Sequence, residues 1–310
     1  MRRSNKTTQF ILLLLFLFAF MGVAVFIGTA QSTEFVIVHL RIPRIIMSVF
    51  AGAALTLCGA IFQSIFRNPV CDPYILGISS GASIGAALAF ILGLDFYLFG
   101  VTSFALVTAF LTLLLMLGIT QFSNIKSTYI MLLAGISLNF LMASVLTLLM
   151  VMNHQEMQKI LFWTMGSFAT VSYYDLSFFI PIFLIVVFFI FLLSKDLNIM
   201  QLGDAQAQSL GVNTQKVTYT TLLLSSVLIA ATVSICGVIG FIGLIIPHLA
   251  RIIWGNSTKS LFAFSMLLGA IFMLIADTLA RTVAPNTELP VGSITALIGA
   301  PYFIYILVRK

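Results

Sequence analysis

Side chains able to do chemistry are scarce in this sequence and gather in three places. The first is a polar island, Leu202 to Asn213 (LGDAQAQSLGVN), with one acid, three amides and two glycines in a chain that is 61% hydrophobic. Its residues Gly203, Asp204, Ala205, Gln206, Ala207, Gln208, Ser209, Leu210 and Gly211 offer hydrogen bonds and a surface charge, the chemistry of docking and not of bond making. The spacing predicts Asp204 as an N-cap, a short helix over Ala205 to Leu210, and a left-handed Gly211 that ends it. The segment is too polar to cross lipid. It reads either as a docking element for a soluble partner or as an ordinary amphipathic interfacial loop. The second place is a set of arginines: Arg41 and Arg44 flank Pro43, and Arg281 follows Asp277 by one helical turn. Guanidinium forks pair with phosphates or carboxylates, so these residues either snorkel to lipid headgroups or form ion pairs, Arg281 with Asp277 itself at i, i+4. The third is Ser137 and Asn139 within the otherwise apolar Ala134 to Phe140. Such residues serve either as interhelical hydrogen bonds or as contacts for a passing solute.

Several chemistries are absent. No Gly-x-x-x-x-Gly-Lys-Ser/Thr loop occurs, and Gly255 to Lys259 has the wrong spacing for one, so ATP is not bound by that route. His-Glu-x-x-His is absent, and the Gly-x-Ser-x-Gly matches at Gly77 to Gly81 and Gly81 to Gly85 lie inside an apolar run and not at a strand-to-helix turn, which leaves little ground for a membrane hydrolase. Cys58, Cys71 and Cys236 form no metal or redox spacing and read as packing residues. His248, beside Pro247, is read as packed or hydrogen-bonded before it is read as a proton relay. No cofactor or metal is expected.

These residues must be positioned by membrane-spanning helices. Only 8% of the chain is charged, against about 25% in soluble domains. A hydrocarbon core of roughly 30 Å takes about 20 apolar residues per helix, and ten such runs are found. They lie near 9–30, 44–66, 75–94, 98–119, 127–152, 176–194, 217–236, 238–254, 260–280 and 290–308. The whole chain therefore reads as a single transmembrane domain, residues 1–310, of an all-α polytopic membrane protein. The first run is longer than the 7–15 residues of a secretory signal core, so it is read as a retained helix despite the weak cleavage-like Gly28-Thr29-Ala30. Basic residues stay on the cytoplasmic side of short loops. Ten spans with a cytoplasmic N-terminus put Arg2, Arg3, Lys6, Arg67, Lys126, Lys195, Lys216, Arg251, Lys259, Arg309 and Lys310 inside. Arg41, Arg44, Lys159 and Arg281 fall outside. Both termini are expected in the cytoplasm, and the net charge of +6 reflects this sorting, not affinity for nucleic acid.

Three sequence blocks carry more. Arg67-Asn-Pro-Val-Cys-Asp-Pro-Tyr74, with Arg67, Asn68, Pro69 and Asp72, specifies a turn that no helix can traverse. Gly77, Gly81 and Gly85 form a ridge for close helix contact. Gly237, Gly240 and Gly243 followed by Pro247 predict a thin, bent span. Together with Leu40 to Arg44, Gly52 to Leu55, Ser209 to Val212, Gly240 to His248 and Glu288 to Pro301, these blocks run in order over about residues 40–305. They resemble the permease subunits of the type II ABC importers, the family that carries iron siderophores, haem and cobalamin. Val70-Cys71 departs from that family's usual Leu-Ala, without touching a charged motif position.

The resemblance implies ten helices per subunit, a permease homodimer around a central path, two cytoplasmic ABC ATPase subunits and an extracytoplasmic substrate-binding protein. It makes Gly203 to Gly211 the coupling segment that sits in a cleft of the ATPase, with Arg67, Asn68, Pro69 and Asp72 in support. It makes Arg41, Arg44 and Arg281 docking residues for the binding protein, and it places Ser137 and Asn139 along the translocation path. ATP hydrolysis would belong to the partner, and the protein would lie in the bacterial cytoplasmic membrane. A siderophore is the first-choice cargo, ahead of haem, cobalamin and molybdate. An ion-coupled secondary transporter is the rival reading, but it calls for ionisable groups at membrane depth, and the spans hold almost none. A membrane-embedded enzyme or scaffold lacks a catalytic constellation.

Overall fold

The computed structural model describes residues 5–28, 33–97, 100–122, 128–284 and 287–309. Arg2, Arg3, Thr29, Ala30, Lys126 and Lys310 lie outside the described residues. Ten apolar helices correspond one for one to the ten expected runs. They are α1 (Lys6–Phe26), α2 (Ile42–Ile65), α3 (Ile78–Ile91), α4 (Gly100–Phe122), α5 (Thr128–Met152), α7 (Tyr173–Met200), α9 (Thr214–Cys236), α10 (Ile242–Trp254), α11 (Thr258–Ala280) and α12 (Val291–Arg309). Two short α-helices, α6 (Met157–Thr164) and α8 (Asp204–Ser209), lie between them among the described residues, with further helical turns at Val36–Arg41, Pro73–Leu76 and Leu94–Phe96. α6 has eight residues, far below a span, so a search for long apolar runs passes over it.

At the centre stand α2, α9 and α11, whose apolar stretches are mostly buried, while α1 and α5 present most of their surface outward. Small residues set how closely these helices approach. A methyl group at Gly52 would overlap the Gly269 carbonyl on α11, and one at Gly59 would overlap the Gly243 carbonyl on α10. The ridge of Gly81 and Gly85 lies against Thr112, Thr108 and the Phe104 carbonyl of α4, as its spacing predicts. Without a hydrophobic driving force between helices in lipid, such backbone approach is a main source of cohesion.

α3 has 14 residues and α10 has 13, about 20 Å each at 1.5 Å per residue, so each crosses only part of the core. Both begin at irregular backbone. Residues 237–240 are not helical, and Phe241 takes φ 68° ahead of α10, so the span expected from residue 238 starts at Ile242. Non-helical backbone at membrane depth needs partners within the protein. Tyr74 supplies them: its hydroxyl donates to the Ile239 carbonyl (3.1 Å) and accepts from the Ile239 N–H (3.3 Å). Ser167 N–H donates to the Cys236 carbonyl at 2.8 Å, and Val291 N–H to Gly166 at 2.9 Å. Ahead of α2, residues Val36–Arg41 form a π-type turn. Pro43, which follows, has no N–H for the usual carbonyl and crowds it, a common cause of such widening.

Candidate functional site

The polar island forms a small rigid projection between α7 and α9. α8 ends as its sequence predicts. Gly211 sits at φ 85°, a conformation that costs a side-chain-bearing residue strain. The N–H of Val212 reaches the Ala207 carbonyl at 3.0 Å and that of Gly211 reaches Gln208 at 2.9 Å, the paired bonds of a Schellman end. Ala207 and Val212 are buried under this closure. Gln208 Nε2 donates to Thr214 Oγ1 (3.2 Å), and the Asn213 side chain caps α9 by accepting from the Lys216 N–H (3.0 Å). The N-terminal expectation needs correction: Gly203, at φ 121°, is the capping residue, and Asp204 opens the helix without capping it. The reason is a competing cation, because Asp204 Oδ1 accepts from Arg67 Nη2 at 2.5 Å.

Arg67 thereby joins the turn after α2 to the start of α8. It also donates to the Met200 carbonyl at 3.0 Å, from a left-handed backbone of φ 49°. Within that turn Asn68 Oδ1 accepts from the Val70 N–H, and Asp72 Oδ1 from the Tyr74 N–H (2.8 Å). Burial pushes the Asp72 carboxyl up to about 6, while the Tyr74 N–H opposes the shift. Burial also pushes the neighbouring Cys71 thiol up to about 12, with Asp72 adding to the effect. Arg67 and Pro69 share a cavity of about 400 Å³ with Gln63, Ser64, Gln201, His248, Arg251 and Asn256, so the end of α10 reaches the same face. Around α8 this face carries Leu202 and Leu210, each 61% exposed.

The arginines form a cluster about one α2 length away. Arg44 Nε donates to both oxygens of Asp277 (2.9 and 3.2 Å), and its Nη1 donates to Glu288 Oε2 (2.7 Å). Arg281 Nε lies 3.8 Å from Asp277 Oδ2, the i, i+4 pairing that the spacing suggests. Arg281 Nη2 donates to the Ala24 carbonyl at 2.7 Å and Arg41 Nη1 to that of Val25 at 2.9 Å, which ties α1 to the bundle. All three arginines are buried, as is Asp277. None stands out toward lipid phosphate. Asn139 donates to the Tyr74 and Ile75 carbonyls (3.1 and 3.3 Å) and accepts from Ser80 Oγ at 2.7 Å, so it braces α5 against the start of α3. Ser137 is exposed on α5, beside Leu133, Ile136, Phe140 and Leu141.

Sequence reasoning missed Glu288 and Ser80 as partners, and a further knot in which Lys159 bridges Asp95 and Glu156 (2.9 Å each). Their charges are legible in the sequence, but pairings 64 and 244 residues apart are not.

The model of the FecCD transport family matches residues 7–309. The chain belongs to the FecCD transport family. Among its FecCD relatives, a hemin transport system permease protein of Yersinia pestis is 38% identical over 279 residues, 88% of this chain and 83% of that one. A molybdate import system permease protein of Haemophilus influenzae is 38% identical over 270 residues, 86% of this chain and 79% of that one. A chain from a metal-chelate type ABC transporter solved in an inward-facing conformation superposes with a TM-score of 0.91 at 35% identity, covering 98% of this chain and all of the other. This FecCD chain is accordingly a multi-pass membrane permease of the ABC importer type, and its relatives are transport subunits.

Proposed function

We propose that this chain is the permease subunit of an ATP-driven importer that passes an iron chelate, a siderophore first among the candidates, delivered by an extracytoplasmic binding protein. The observation that carries the reading is α8, a capped, exposed helix bracketed by Leu202 and Leu210 and joined rigidly to α7 and α9. Leu202 and Leu210 are exposed on a polar projection outside the apolar spans and are available for a protein contact. An element built this way transmits a push because its ends do not yield. In this reading Gly203 to Gly211 receives the movement of a cytoplasmic ABC ATPase pair, and Arg67, Asn68, Pro69 and Asp72 brace the receiver. The corner of Arg41, Arg44 and Arg281, buried in this structure and reaching the surface through Glu288, receives the binding protein at the opposite face.

The exposed apolar side of α5, including Ser137, faces the path and a second copy of the permease, while Asn139 holds that helix in place. Both termini lie in the cytoplasm, and ATP is hydrolysed by the partner subunits. Relatives that carry hemin and molybdate keep haem and oxyanions among the candidate cargoes. The deciding experiment is co-purification in mild detergent with a candidate ABC ATPase subunit from the same organism, then ATP hydrolysis in liposomes with and without a candidate extracytoplasmic binding protein. Stable association with stimulated hydrolysis is expected; a permease that purifies alone and transports without an ATPase overturns the reading.

A further inference from the structure

The carboxylates that hold Arg44 differ in one respect. Asp277 is fully buried on α11 and meets Arg44 through both oxygens, whereas the Glu288 side chain is 48% exposed. Glu288 stands on the non-helical residues 288–290 ahead of α12, anchored next door by the Leu289 N–H on the Ala280 carbonyl (3.0 Å). Its side chain can swing into solvent without breaking a helix. Asp277 cannot do the same.

Electrostatics limit what can follow such a swing. Arg44 and Arg281 both lean on Asp277, and Arg281 Nε and Nη1 have no hydrogen-bond partner among the described residues. Removing Glu288 alone would leave the three buried guanidinium groups of Arg41, Arg44 and Arg281 with one carboxylate, and an uncompensated buried charge is strongly unfavourable. The corner therefore needs a second carboxylate at Arg44 at all times. Replacing one carboxylate by another conserves the charge-assisted hydrogen bond, whereas simple loss does not.

We infer that Glu288 is an internal stand-in for an acidic side chain of the docking protein, which displaces it from Arg44 when the two surfaces meet. The inference rests on the docking reading above and adds the residue that competes with the partner. In the docking reading the partner presents an acidic side chain to this corner, and the exchange adds that Glu288 must leave before that acid reaches Arg44. A surface lacking that acid leaves Glu288 in place and gains nothing at this contact, so the exchange contributes to partner choice.

The test measures docking of that candidate binding protein to the permease–ATPase complex in nanodiscs, at low and high salt. Glu288→Gln removes the competitor's charge and is expected to tighten docking about tenfold at low salt. Glu288→Asp, one methylene shorter, is expected to give a smaller gain in the same direction and serves as the charged control should the glutamine variant fold poorly. Unchanged affinity in both variants means that Glu288 is only a strut, and weaker affinity means that it contacts the partner itself; either result overturns the exchange. Charge reversal by Arg41→Glu with Arg44→Glu examines the underlying reading separately. Salt-independent docking of wild-type strength in that variant removes the docking role of the arginines whatever Glu288 does.

Discussion

At the scale of single residues, the charges of this chain are held to definite partners, and Asp72 shows a consequence. Its carboxyl is partly buried in the turn after α2, and burial raises it from 3.8 to about 6. The folded protein thus holds that proton to a higher pH than the unfolded chain. The stabilisation from this linkage is fully present below about 3.8, and it is lost as pH rises through about 6. Asp72→Asn keeps an oxygen for the Tyr74 N–H and cannot ionise, so the variant is expected to gain on the wild type by on the order of 2 kcal/mol between pH 4 and pH 7.5. Melting in detergent across that range checks it, and parallel pH profiles for the two proteins refute it. The sequence makes Asp72 legible as a turn residue, because its side chain acts locally on Tyr74. It does not reveal the fate of Arg44, whose acids lie 233 and 244 residues away.

At the scale of elements, the two ends of α8 are set by different physics. Its C-terminal end depends on a backbone angle available to Gly211, and its N-terminal end on an exposed ion pair between Asp204 and Arg67. An exposed pair stabilises by at most about 1 kcal/mol, so its value is in orientation. Gly211→Val is expected to distort the closing turn and cut uptake per ATP hydrolysed several-fold, with the protein still inserted and hydrolysis retained. Asp204→Lys, which sets two cations against each other, is expected to do the same. Uptake and hydrolysis measured in one proteoliposome preparation decide it, and unchanged coupling in both variants removes α8 from the transmission path. The existence of this helix was legible because a polar run inside an apolar chain has few alternatives. Its capping was not, since the cation that draws Asp204 away lies 137 residues earlier.

At the scale of the whole molecule, helices meet where side chains are missing. Gly59→Val would drive a branched side chain into the Gly243 backbone, and overpacking of this kind costs typically 1–3 kcal/mol or more. Lower melting temperature and poor recovery from size-exclusion chromatography are expected. Gly118→Ala on α4, where a methyl group meets nothing within 4 Å, is expected to leave both unchanged. Equal behaviour of the two variants would show that close approach of α2 and α10 is dispensable. The ten-helix plan was legible in apolar run lengths, and the glycines from Gly237 to Gly243 marked α10 as a short, irregular span, but the part-length character of α3 was not legible, because apolar composition alone does not mark where backbone unwinds. That unwinding leads to a different consequence. Tyr74 closes the unwound backbone at Ile239 with a neutral hydroxyl, while the charged clusters around Arg44 and Arg67 lie about 35 Å apart along α2. The hydroxyl meets both backbone groups of Ile239 without bringing a charge into the break. The break ahead of α10 is thereby sealed by one neutral side chain, so Tyr74→Phe leaves the Ile239 N–H and carbonyl without that partner.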